Sequence, residues 1–469
     1  MITPLSPPGI GGFFMSSHTL RNENKQTLKL AFPMMASYLG QMLLGLADTV
    51  MIGQLGTVEL AAVAFMNTLI HLIMASGIGL AVGVGVEIAR AHGAKAHEAA
   101  AEALRHGLVL AASLGLLIWA LLIFLQPAFH LLGQPAEVMQ LLPPYLKWVA
   151  PSLAFMIPIM VLKSFSESKN HPWPVFWIQI AGVALNIGLN ALLIFGNLGF
   201  PELGLAGAGL ATCLSRILTL LAMWFYLRAS HTLAEARPTR WLAPLSRKEL
   251  LRLFSLALPI SAQMLMEFGA FTVSALFIGR LGPLAMAAHQ IAITCAATTY
   301  MIPLGLSGAL GIRVGHLMGA GDSERCRRVC LGTQLMTLGI MGSFALLYLS
   351  RGTWIAGIFT EDPELIALSS SLFLIAGLFQ IFDGLQVVSM GALRALKDVI
   401  VPSILSLIGY WVISFPLGLH LCFQRGWGVR GFWTSLGLGL FLSSCSLGLR
   451  LWKILWRSSK SSEKSGALT

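Results

Sequence analysis

The chain has 469 residues, of which 56% are hydrophobic and only 11% charged, against roughly a quarter charged in a soluble domain. With a mean hydropathy of +0.77, an aqueous globular protein is excluded and the bilayer is the solvent for most of the surface. The net charge of +11 does not point to nucleic acid, because the basic residues lie between apolar segments rather than along one face.

Taken from the start, residues 1–14 (MITPLSPPGIGGFF) lack a basic leader and a continuous apolar core, so they do not read as a signal peptide. They read as an extended or a misassigned start, with Met1 and Met15 as the alternative first residues, within an N-terminal tail of residues 1–26. Twelve segments then have the length and apolarity of a helical span, at approximately 27–53, 58–86, 101–125, 140–163, 173–197, 204–229, 250–278, 284–312, 329–350, 365–392, 399–422 and 429–452. A polar link at 230–249, with Arg237, Pro238, Arg240, Arg247 and Lys248, separates a first lobe (27–229) from a second (250–456). Residues 457–469 form a C-terminal tail.

The lobes are copies. Residues 30–98 recur without a gap as 256–324, at a constant offset of 226 that matches Pro33 with Pro259, Gly53 with Gly279, Gly79 with Gly305 and Gly93-Ala94 with Gly319-Ala320. The expected fold is an all-α integral membrane protein, its two six-helix lobes related by a pseudo-twofold axis along the membrane normal. That arrangement suits alternating access. The N-terminal tail, the loops after spans 2, 4, 6, 8 and 10 and the C-terminal tail hold nearly all Lys and Arg, among them Arg90, Lys163, Arg313 and Arg394. Both termini are therefore expected to be cytoplasmic. No N-x-S/T sequon occurs, which favours a bacterial membrane. Pro33 and Pro259, in the first span of each lobe, are either kinks or hinges.

An ionisable side chain at mid-bilayer costs about 2.5–3.5 kcal/mol on insertion scales, so each needs a reason. Three acids qualify: Asp48 in span 1, Glu267 in span 7 and Asp383 in span 10. Ser37, Gln41 and Asp48 share one helix face at i, i+4, i+11, and Gln263, Glu267 and Ser274 repeat that spacing 226 residues later. Gln380, Asp383 and Gln386 form a further polar face, and Asn186 and Asn190 are i, i+4 neighbours in span 5 that either bond between helices or relay to Asp48. Arg216 is read as the one deep cation; it either pairs with an acid or, as preferred here, snorkels to the cytoplasmic surface where span 6 exits. His71 and His289 read as packing residues, as do the methionines of span 1. The six cysteines show no metal or disulfide framework. Motifs of membrane-embedded or ATP-driven enzymes are absent, so an enzyme is not expected.

At these residues the chain resembles the multidrug and toxic compound extrusion (MATE) family, in its NorM-like branch. The resemblance rests on PMMASYLGQMLLGLADTVMIGQLG at 33–56, LPISAQMLMEFGAFTVSALFIGRLGPLAMAAHQ at 258–290, IRVGHLMGAGD at 312–322, FQIFDGLQVVSMGALRALKD at 379–398 and PELGLAGAGLAT at 201–212. It covers nearly all of the chain after about Asn22. It implies a plasma-membrane efflux antiporter, acting as a monomer in a bacterial inner membrane. Cationic or amphipathic organic compounds would leave in exchange for Na+ or H+, with no cofactor beyond that coupling ion. A flippase for a lipid-linked precursor, or a narrow-range metabolite exporter, is the alternative within the same superfamily. The family's ion-coupling positions fall on Asp48, Glu267 and Asp383, with Glu267 and Asp383 holding Na+ if Na+ is the ion, and its span-5 polar pair falls on Asn186 and Asn190. The second of that pair is acidic in some branches; its being Asn here shifts the expected coupling toward Glu267 and Asp383.

Overall fold

The computed structural model describes residues 17–132, 135–241 and 243–466, so the expected alternative starts at Met1 and Met15 lie outside the described residues. Among the described residues twelve helices are long and apolar enough to cross a membrane. They are α1 (Ser17–Gly53), α2 (Thr57–Gly93), α3 (His97–Leu125), α4 (Ala136–Ser168), α5 (Pro172–Phe195) and α6 (Gly204–Ala229), then α7 (Arg247–Gly279), α8 (Pro283–Ala320), α9 (Ser323–Gly357), α10 (Pro363–Ala395), α11 (Ile400–Gln424) and α12 (Val429–Gly466). Helices are the solution that lipid permits, because each backbone N–H must find its carbonyl within the segment. Sequence punctuates them locally. Asp322 and Asp362 accept from the amides of Arg325 and Glu364 at 3.0 Å and so cap α9 and α10. Gly321, at φ 78°, ends α8 in the left-handed conformation.

Several helices overrun the apolar segments that announced them. Helix α1 begins at Ser17, inside the stretch expected to be tail; α7 begins at Arg247, inside the expected link; and α12 continues to Gly466, ten residues past 456. The extensions are polar and lie at the end of the molecule that is rich in Lys and Arg.

In the first lobe α4 packs against α2, α3 and α6; in the second, α10 packs against α8, α9 and α12. The lobes meet through α2 against α7 and α8, and α1 against α8. Here the duplication becomes geometry. A Cβ placed on Gly79 of α2 would lie 2.6 Å from the amide nitrogen of Ser261 on α7, and one on Gly305 of α8 would lie 3.0 Å from that of Met35 on α1. Those four residues are two pairs related by the same offset of 226. Nearer the basic end, Gly93 abuts the His316 carbonyl and Gly319 the Arg90 carbonyl, again at that offset. Glycine is required because helix backbones touch with no room for a side chain.

The described hydrogen bonds, ion pairs and glycine approaches between lobes extend no farther than Met42 on α1, Ser76 on α2, Ser261 on α7 and Thr298 on α8. At the basic end they are dense. Glu87 of α2 pairs with Arg252 and Lys397, both at 2.6 Å. Arg90 donates to the Ala395 carbonyl at 3.1 Å, and the His92 and His316 rings stack edge-on with centroids 4.8 Å apart. Burial holds the ammonium of Lys169, in the α4–α5 loop, below its ordinary pKa, and its Nζ donates to His92 Nδ1 at 2.8 Å. The inter-lobe link is pinned as well: the Ser246 amide donates to His106 Nε2 at 2.9 Å, and Arg105 reaches the Ala243 and Pro244 carbonyls. The molecule is thus closed at its basic end, and the lobes part toward the other.

Candidate functional site

In the first lobe, α1 and α5 bring Asp48 against Asn190, whose Nδ2 donates to Asp48 Oδ1 at 2.5 Å. The same Nδ2 reaches Asn186 Oδ1 at 3.1 Å, and Asn186 in turn donates to Ser215 Oγ at 3.3 Å and Thr212 Oγ1 at 3.5 Å on α6. Asn186 and Asn190 are almost fully buried, and Asp48 is half-buried. The chain Asp48–Asn190–Asn186–Ser215 runs from the cleft into the lobe. Arg216 does not snorkel: its Nη1 donates to Ser152 Oγ on α4 at 2.6 Å, and its charge faces Asp48 and Tyr145. A guanidinium with a hydroxyl partner and a carboxylate in view has less reason to cross a helix turn to the interface.

The shared face of Ser37, Gln41 and Asp48 does not become one cluster. Ser37 is buried, whereas Gln41 is exposed and donates to Gln179 on α5 at 3.4 Å.

The second lobe holds the richer site. Glu267 on α7 and Asp383 on α10 are both buried, and each lies in the other's field. Tyr300 of α8 and Tyr410 of α11 both face the two acids. Gln386 Nε2 donates to the Tyr410 hydroxyl at 2.9 Å. The cation is Arg394, which was expected in a loop. It lies inside α10, is 5% exposed, donates to Gln263 at 2.9 Å and faces Glu267. Gln263 thereby joins the site. Ser274 is buried on the same helix, and Gln380 goes elsewhere, donating to Thr299 at 2.5 Å within a Thr299–Tyr348 network.

Tyr410 sits in an unusual turn. Residues Ile408–Ser414 of α11 are π-helical and precede Pro416, which has no N–H to continue the ladder. Trp411 Nε1 donates to the Met266 carbonyl at 3.0 Å, which fixes this turn against α7 beside Glu267. By contrast Pro33 and Pro259 lie inside unbroken helices.

Arg216 is not the lone deep cation. Besides Arg394, Lys163 is buried with its ammonium 4.5 Å from the Tyr38 ring centroid and 3.9 Å from Glu167; Arg313 is buried as well, against Glu23, but at the basic end. Arg313 and Arg394 follow their apolar windows and Lys163 ends one, which is why all three read as loop charges; helix continuation past those windows carries them inside. His289 accepts from Trp433 Nε1 at 3.1 Å, a packing role, while His71 is exposed. Among the described residues no group of three or more His, Cys, Asp or Glu could hold a metal.

The MatE family model matches the chain twice, at residues 33–192 and 259–419, the two matches beginning at Pro33 and Pro259. A probable multidrug resistance protein NorM of Pseudomonas aeruginosa is 35% identical over 448 residues, covering 94% of this chain and 91% of that protein. One of the same description from Bradyrhizobium diazoefficiens is 33% identical over 435 residues, covering 92% and 93%. Among solved structures, the Vibrio cholerae MATE transporter VcmN in the bent form superposes with a TM-score of 0.85 at 21% identity, over 94% of this chain and 99% of that one. The eukaryotic MATE transporter AtDTX14 gives 0.84 at 21%, over 95% and 99%. At such identity the structures show the fold.

Proposed function

Because the chain belongs to the MATE family, we propose that it is a secondary active multidrug efflux antiporter, exporting cationic or amphipathic organic compounds against influx of a monovalent cation, Na+ or H+. The relatives' names support drug export, and the duplicated lobes of this multi-pass membrane protein support alternating access. The observation that carries the coupling is a charge count. In the first lobe Asp48 faces one cation, Arg216. In the second there are two carboxylates to one cation: Glu267 faces Arg394, and Asp383 faces Glu267. That lobe keeps one formal negative charge in a buried setting, where each charge costs about 2.5–3.5 kcal/mol.

A single monovalent cation removes the deficit. A proton would go to one carboxylate; Na+ would be held by both, with Tyr300 and Tyr410, which face the same acids, as further oxygen donors. A cationic drug placed beside the acids cancels the same charge. Closure of the open end buries the site, so it is favoured when either partner is present and opposed when neither is. Exchange follows from that alternative occupancy. The basic end, with both termini, is cytoplasmic, and the membrane is a bacterial inner membrane.

The test is efflux of a cationic dye from inverted vesicles, with a Na+ gradient and a pH gradient imposed separately. One gradient is expected to drive transport alone, and Glu267→Gln to abolish its effect. Dye movement indifferent to both gradients overturns the antiport reading.

A further inference from the structure

A cavity of about 390 Å³ opens at the basic end between the lobes, lined by Gln26 and Lys29 of α1, Asn170 of the α4–α5 loop, Trp173 of α5, Arg313 of α8 and Arg325 of α9. Its counterpart across the pseudo-twofold axis explains what it lacks. Under the 226-residue offset Arg313 corresponds to Glu87, Gln26 to Arg252 and Glu23 to Glu249. On the Glu87 side the protein supplies its own anion: Glu87 bridges Arg252 and Lys397, and Glu249 lies 3.4 Å from Arg252. Two carboxylates meet two cations there, and the charge closes to zero.

On the other side the bridging carboxylate is replaced by Arg313. Among the described ion pairs Glu23 is the one acid on these two guanidinium groups, pairing with Arg313 and, at 2.8 Å, with Arg325, while Gln26 Oε1 accepts from Arg313 at 3.0 Å and from Arg325 at 3.3 Å. With Lys29 on the wall, three cations face one carboxylate, a surplus of two positive charges across an inter-lobe space. The loop that reaches Glu87 with Lys397 offers Asn170 here, both residues at φ 63° in matching connections. Where the symmetric interface is completed by an internal carboxylate, this one calls for an anion from outside.

The bilayer-facing side of the cavity indicates the source. Phe32 and Trp173 are exposed with ring centroids 6.0 Å apart, and the row continues through Phe176 (5.6 Å) to exposed Trp177 (5.0 Å). Phe32 lies on α1 about one turn inward of Lys29. An aromatic row beneath a basic cavity matches a headgroup above and acyl chains below. We propose that this cavity binds the phosphate headgroup of an anionic phospholipid, which bridges the lobes and steadies the state closed at the basic end.

The experiment measures the thermal stability of the full-length protein in detergent on adding phosphatidylglycerol, phosphatidylcholine or inorganic phosphate at matched concentrations. Variants are Lys29→Gln, which removes an exposed cation, Gln26→Glu, which supplies the missing carboxylate, and Arg240→Gln, an exposed control that does not line the cavity. Phosphatidylglycerol should raise Tm by several degrees more than phosphatidylcholine. That difference should be largely lost in Lys29→Gln and Gln26→Glu and kept in Arg240→Gln, and Gln26→Glu should be stabilised without lipid. Equal responses to the two lipids, or an undiminished difference in both cavity variants, overturn the proposal. A full response to inorganic phosphate overturns the lipid assignment in favour of a soluble phosphate ligand.

Discussion

Asp48 and Glu267 are both deep acids, yet their neighbours differ enough that the same substitution distinguishes them. Glu267→Gln removes the carboxylate that faces Arg394 and leaves Asp383 as the site's remaining acid, so the site is formally neutral with no ion bound. Gradient-driven efflux should fall to near background with normal expression; full activity would falsify coupling through this lobe. Asp48→Asn keeps an oxygen to accept from Asn190, so the stability cost should stay within about 0.5–1.5 kcal/mol, the scale of one hydrogen bond. Efflux per folded molecule should drop and the range of substrates shift. A lower Tm in detergent with intact transport would instead give Asp48 a structural role. The acids were legible in the sequence because a carboxylate in an apolar run has a cost that demands a reason. Arg394, Tyr300 and Tyr410 were not. An arginine near the end of an apolar window reads as a snorkelling or loop residue, and a tyrosine there costs too little to stand out. Gly409-Tyr410 ahead of Pro416 was the available signal for a locally widened helix.

At the scale of helices, the apolar windows located all twelve spans but not their ends. The polar extensions of α1, α2, α7, α8 and α10 are stabilised by contacts with the opposite lobe, such as Glu87 with Arg252 and Arg313 with Glu23. No window of hydrophobicity registers such pairing. The glycine positions were legible as small-residue packing sites; which helix each one touches required the fold. Gly79→Val and Gly305→Val should each overpack a backbone contact at about 1–3 kcal/mol and weaken closure at the basic end. A cysteine at Ala94, beside Gly319, in a background without native cysteines, should then react faster with an impermeant thiol reagent supplied from that side. Gly188→Ala, where an added Cβ meets nothing within 4 Å, serves as control and should leave labelling unchanged. Identical labelling in all variants would remove these glycines from the closing contact.

For the whole molecule, the described contacts leave the lobes apart beyond Met42 and Ser261, so the transport cycle requires that far end to close while the basic end opens. Cysteines at Thr57 and Pro283, beside the turns after α1 and α7, should crosslink when the far end shuts. Transport should stop and return on reduction. Complete crosslinking with unimpaired transport would replace rigid-lobe rocking by bending within helices.

The offset-related contacts Gly79–Ser261 and Gly305–Met35 also say something about assembly. An interface in which each partner presents the same patch to the other is isologous, the geometry by which two separate chains make a closed dimer. The covalent join between the halves is then a matter of stoichiometry rather than of recognition, though Arg105 and His106 do anchor it to the first lobe. A gene cut between Thr239 and Arg240, both exposed, should give two fragments that find each other in the membrane, copurify and restore efflux. Neither fragment alone should do so. Fragments that fail to associate would show that the anchored link, and not the repeated helix contacts, holds the two halves in register.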